Sequence, residues 1–92
     1  MPPEINIEVA RAAVLEHILA ERERQDRKWG DQIENSDPLW TVIALEEFGE
    51  VGREVYEKEL DKAYVEIIQL AAVCMAWAEA LRRRGILNEK QR

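Results

Sequence analysis

Apolar residues recur at helical spacing in three blocks of the chain, separated by stretches rich in turn formers. In the first block Val9, Ala12, Ala13, Leu15, Ile18 and Leu19 make a stripe with the three-to-four-residue period of an amphipathic helix. Pro2 and Pro3, then Asn6 as candidate N-cap, mark its start, and the pattern runs to about Lys28. Its last turns, ERERQDRKW, are almost wholly charged, so they either project into solvent or line something polar. The segment GDQIENSDP at 30–38 reads as a loop, with Ser36 or Asp37 capping a second helix that has Pro38 in its first turn. On that helix Ala44, Phe48, Val51 and Val55 have core spacing and lie opposite an acidic face. The pattern breaks around Glu57 to Asp61, and Asp61 is the candidate N-cap of a third helix.

From Ala63 to Leu81 the chain reads AYVEIIQLAAVCMAWAEAL, apolar almost all the way round, as in a helix buried on most sides. Trp40 and Trp77 fall at apolar spacing and are assigned to core or interface. The third helix ends at Arg82-Arg83-Arg84-Gly85, where cations suit the C-terminal dipole and glycine suits the position after the cap. Three helices with short connections give an all-α helical bundle. Two amphipathic neighbours cannot cover a third helix that is apolar all round, so a second copy is expected to complete the bundle, as a homodimer or homotetramer.

The 92 residues make one domain, 1–92, of a size at which a lone chain is only marginally stable. A hydrophobic content of 47% excludes disorder. The net charge of −6 and pI near 4.8 argue against a nucleic-acid backbone as ligand, while leaving open a polyphosphate bound through a metal. The longest apolar run, Leu70 to Ala78, is far shorter than a membrane span, and the first residues lack the basic and apolar regions of a signal peptide. Cys74 reads as a buried packing residue, and the expected compartment is reducing and cytoplasmic, with no membrane partner. His17 has no Cys or His at ligand spacing and reads as a helix-surface residue.

Charge patterning adds candidate chemistry. At about 100° per residue Glu47 and Glu50 point within about 60° of each other, with Glu46 and Glu54 flanking them. Like charges so spaced cost a helix about 0.2–0.5 kcal/mol per pair, and the only cation nearby in sequence is Arg53. Glu66 interrupts the apolar third helix on a short polar stripe with Lys62 and Gln69, which continues as apolar Val73 and Ala76. A carboxylate in apolar surroundings costs several kcal/mol unless it is paired or bound to a cation. A metal shared with Glu47 and Glu50 would satisfy it, and oxygen-only ligands suit Mg²⁺, with Mn²⁺ as substitute.

The string Glu46-Glu47-x-x-Glu50, then Glu66-x-x-Gln69 after fifteen residues, resembles the EExxE…ExxD signature of the MazG-like all-α nucleoside triphosphate pyrophosphohydrolases. ERERQDRKWG at 21–30 also looks like the N-terminal part of small MazG-like proteins. The resemblance implies a MazG-like bundle and Mg²⁺-dependent hydrolysis of a (deoxy)nucleoside triphosphate to the monophosphate and pyrophosphate. It implies metal ligands at Glu47, Glu50 and Glu66, with Gln69 where the family has Asp. An amide oxygen can coordinate Mg²⁺ or hold a metal-bound water, but it brings no charge. Glu46 is the candidate to orient or deprotonate the attacking water. Trp29 is a candidate to stack on the base, or equally a packing anchor, and Arg24 and Lys28 are candidates for the phosphates. Lys62 and Tyr64, near Glu66, could also reach a ligand. The competing expectation is a metal- or nucleotide-binding module with weakened catalysis, which Gln69 favours.

Overall fold

The computed structural model describes residues 4–87. These form three helices, α1 (Ile7–Trp29), α2 (Asp37–Tyr56) and α3 (Leu60–Arg83), and no strand. Each terminus has a local cause. Asn6 is extended, and its Oδ1 accepts from the Val9 N–H at 2.9 Å, so the cap read from sequence is in place. Pro2 and Pro3 lie outside the described residues. α1 stops at Gly30, whose φ of +70° suits glycine. Ser36, rather than Asp37, caps α2, its Oγ accepting from the Leu39 N–H at 3.2 Å.

α3 departs from expectation at its start. Its cap position is Glu59, which makes no side-chain cap bond, and Asp61 sits inside the first turn, where it favours the dipole. The three-residue link forces Lys58 to φ +62°. At the other end Gly85 takes φ +85°, its N–H donates to the Arg82 carbonyl, and the Ile86 N–H donates to the Leu81 carbonyl. That is the Schellman pattern of a glycine-terminated helix.

α3 is the central helix, with α2 packed on one side and α1 on the other, while α1 and α2 do not pack on each other. Trp40, Val73 and Ala80 form the buried cluster, with Ile33, Ile43, Ala44, Ala76 and Trp77 around it. Ion pairs clamp the 30–36 loop to the end of α3. Arg83 grips Asp31 with two bonds of 2.9 and 3.0 Å, and Asp37 accepts from both the Trp77 indole and Arg84.

Three assignments of side chains to the core are corrected. Phe48 and Val55 are 61% and 51% exposed, and Cys74 is exposed. The seam of α2 against α3 runs along the line of Trp40, Ala44, Glu47, Val51 and Glu54, and Phe48 and Val55 stand about 60–80° away from it. The helix is therefore turned so that part of its acidic face meets α3 and much of its apolar face does not. Glu54, read as part of an acidic surface, is accordingly buried.

α3 is long and apolar enough to cross a membrane by length and composition, with a mean hydropathy of 1.4 over its best 18-residue window. The run of uninterrupted apolar residues considered above does not capture this. In the bundle the same apolarity has a use, because Ala63, Ile68, Ala72, Val73 and Ala80 are buried.

Candidate metal centre

α2 supplies Glu47 and Glu50 and α3 supplies Glu66, because the two helices pack antiparallel along the seam just described. One carboxylate oxygen from each lies within 4.8 Å of the others, and all three side chains are half-buried. The geometry brings together the three carboxylates singled out from sequence. The Gln69 amide is assigned with its nitrogen toward them, since its neighbours there are acceptors. So oriented, it donates to Glu66 Oε2 at 2.9 Å and to Glu47 Oε2 at 3.3 Å.

Burial, then the carboxylates of Glu50 and Glu47, push Glu66 up to about 7. Burial and Glu50 also raise Glu47. This group holds negative charge reluctantly and holds a proton instead. Oxygens bound to one Mg²⁺ at about 2.1 Å stand about 3 to 4 Å apart, which the carboxylates, within 4.8 Å of one another, reach by small side-chain rotations. The donor set therefore fits a hard divalent cation, with three carboxylates to neutralise it and an amide that can turn its oxygen inward.

Beside the carboxylates a cavity of about 230 Å³ opens where α1 and α2 fail to meet, with Gln69 and Val73 of α3 contributing to its wall. Glu21, Arg24, Gln25 and Trp29 line it from α1, and Trp40, Ile43, Glu46 and Glu47 from α2. Of the charged last turns of α1, Glu21 and Arg24 thus line this space, while Glu23 and Lys28 are exposed and do not. Trp29 is half-exposed, with the Lys28 ammonium 4.7 Å and the Arg24 guanidinium 6.0 Å from its ring centroid. Arg24 also grips Glu21 through two bonds of 2.7 Å, which hold the Glu21 carboxyl below its ordinary range.

Glu46 is exposed on the cavity wall, within the same helical turn as Glu47. Lys62, one turn before Glu66 on α3, is exposed, and neither it nor Lys28 is among the residues lining the cavity. Tyr64 points elsewhere, its hydroxyl 2.6 Å from His17 Nδ1. Glu54 stays outside the three-carboxylate group. It lies 3.7 Å from Arg53, and its second oxygen has no partner.

Sequence reasoning missed Glu21, Gln25 and Gln32. Gln25 is 5% exposed, and its amide donates to Glu21 at 3.2 Å and to the Gln69 carbonyl at 3.4 Å. The available signal was the spacing Glu21, Gln25, Trp29, which places the three on one stripe of α1. No family model, curated protein or solved structure matches this chain.

Proposed function

We propose that this chain is a Mg²⁺-dependent nucleoside triphosphate pyrophosphohydrolase, converting a (d)NTP and water to the (d)NMP and pyrophosphate. The observation that carries the reading is the convergence of Glu47, Glu50 and Glu66, with a raised proton affinity at Glu66, beside a cavity lined by Trp29 and Arg24. Mg²⁺ bound by these carboxylates would neutralise triphosphate oxygens and stabilise charge developing in an in-line displacement. Glu46, on the cavity wall, orients the attacking water and takes its proton. Trp29 stacks on the base, and Lys28 and Arg24 turn from its ring toward the phosphates. Gln69 holds Glu47 and Glu66 in register, and with its amide reversed it offers a neutral oxygen where a carboxylate would add charge.

The proposal includes a homodimer or homotetramer, supported by the apolar face that α2 leaves uncovered. The radius of gyration of 15.4 Å also exceeds the roughly 12 Å of a compact domain this long.

Pyrophosphate release from a panel of canonical and modified NTPs and dNTPs, with and without Mg²⁺, is the test. Release that requires Mg²⁺ and is abolished in Glu50→Gln and Glu66→Gln is the expected result. Gln69 favours a second reading, a binding module with weakened catalysis. That reading predicts no release but a metal-dependent stabilisation, about 2.7 kcal/mol at 100 times the dissociation constant. Neither release nor stabilisation would sink both readings.

A further inference from the structure

A second cavity, of about 440 Å³, lies between α1 and α3 and shares Glu21, Arg24 and Gln69 with the cavity beside the carboxylates. Its remaining polar walls are His17, Arg27 and Tyr64. The His17 ring and the Tyr64 hydroxyl meet at 2.6 Å across the two helices and fix that end of the groove. Glu21 is the one carboxylate in the lining, and both its oxygens are already taken by Arg24. Arg27 makes no ion pair or side-chain hydrogen bond among the described residues, although Glu23 lies one helical turn away. An arginine has five N–H donors, and Arg24 commits only part of its fork to Glu21. Around an apolar floor of Ala20, Val65 and Ile68 the groove thus presents one guanidinium without an ion pair, part of a second, an imidazole and a phenol, with its only acid paired to Arg24.

We propose that this groove is a phosphate-binding subsite, and that its occupant is the pyrophosphate end of the nucleotide. The proposal rests on the hydrolase reading above for its occupant. Gln69 is the link between the two spaces. Its amide touches Glu47 and Glu66, and the residue also stands in the wall of the groove. Pyrophosphate released from the metal therefore has, past Gln69, an adjacent groove that offers guanidinium donors. A free guanidinium suits a phosphate group, whose oxygens accept its N–H donors in pairs.

The test titrates inorganic pyrophosphate into the full chain in EDTA, following the His17 imidazole and Tyr64 ring resonances. Without metal the carboxylates repel the anion, so binding reports the groove alone. Saturable shifts at both rings are expected. Arg27→Gln is expected to weaken binding about tenfold or more through loss of the charge-assisted bonds. Arg11→Gln, about 24 Å further along α1, is the charge-matched control and leaves binding unchanged.

No saturable shift, equal weakening in both variants, or binding of a nucleoside monophosphate in preference to pyrophosphate would each overturn the proposal. The hydrolase reading fails separately. A chain that binds pyrophosphate through Arg27 yet releases none from any triphosphate refutes the activity and leaves the anion subsite standing.

Discussion

Glu66 keeps its proton up to about pH 7 because burial and two neighbouring carboxylates oppose its ionisation, against an ordinary value of 4.5. Between those two values the folded state binds more protons than the unfolded chain, so the stability of the metal-free protein falls as pH rises. Glu47, also raised, adds to the same slope. Glu21 and Asp31 are lowered by Arg24 and Arg83, and their contributions are lost only as pH falls below the ordinary carboxylate range. Thermal melts in EDTA should therefore give a midpoint highest near about pH 5 and declining toward pH 8, and Glu66→Gln should flatten the decline. A midpoint that climbs steadily with pH would mean that some cation of the chain already compensates Glu66. Mg²⁺ binds the deprotonated form, so the shift it produces should grow with pH. Gln69→Asp sharpens the contrast: a fourth carboxylate should tighten Mg²⁺ binding and lower the metal-free midpoint, read by calorimetric titration and by melting. Glu47, Glu50 and Glu66 were legible because helical spacing and a polar interruption in an apolar run are properties of the string itself. Lys62 shares the α3 stripe of Glu66 and Gln69, yet it is exposed and does not line the cavity as Gln69 does. Spacing fixes a direction around the helix axis, not what the neighbouring helix offers there.

At the level of elements, caps were the most legible feature, since Asn6, Ser36 and Gly85 act within a few residues of themselves. The start of α3 was not, because Lys58 in a left-handed conformation closes the link so that the cap falls at Glu59, two residues before Asp61. Lys58→Gly removes the Cβ penalty of that conformation at an exposed site. It should raise unfolding free energy by about 0.5–1 kcal/mol, offset in part by the entropy of a freer unfolded chain. Urea titration checks it, and a loss of stability would show that the Lys58 side chain does more than occupy the turn. Trp40, 3% exposed, joins α2 to Val73 and Ala80 of α3. Trp40→Ala should cost about 3–5 kcal/mol, enough to unfold a domain this small, whereas Trp40→Phe should cost much less because its indole N–H has no partner to lose. The ion pairs that fasten the 30–36 loop and the start of α2, Asp31 to Arg83 and Asp37 to Arg84, link residues about fifty positions apart. A basic triplet at a helix end has a sufficient local explanation, and only the packed chain reveals this second use.

For the whole molecule, the rotation of α2 has the largest effect. Placing Glu47 and Glu54 in the seam with α3 leaves Val42, Leu45, Phe48, Val55 and Tyr56 between 50% and 87% exposed on one helix. The two glycines of that helix, Gly49 and Gly52, meet nothing, and an added Cβ at either would stand in open space. Gly49 and Gly52 lie within the same outward-facing sector as Leu45 and Tyr56. Small residues flanked by large apolar ones let a second helix approach closely, and among the described residues α1 does not pack on this helix. The unusual feature, an amphipathic helix that turns carboxylates inward and apolar residues outward, follows if the metal site and a second copy compete for opposite faces of the same element. Sedimentation velocity across a concentration series should then show a dimer or tetramer at micromolar chain, and melting points should rise with concentration. Phe48→Glu and Leu45→Glu, placed on the outer face and away from the carboxylates, should yield monomers of lower stability that still bind Mg²⁺. A wild-type chain that stays monomeric at every concentration would mean that the exposed face is tolerated as surface. Mutants that lose Mg²⁺ binding together with association would mean that the assembly, and not the single chain, holds the three carboxylates in place.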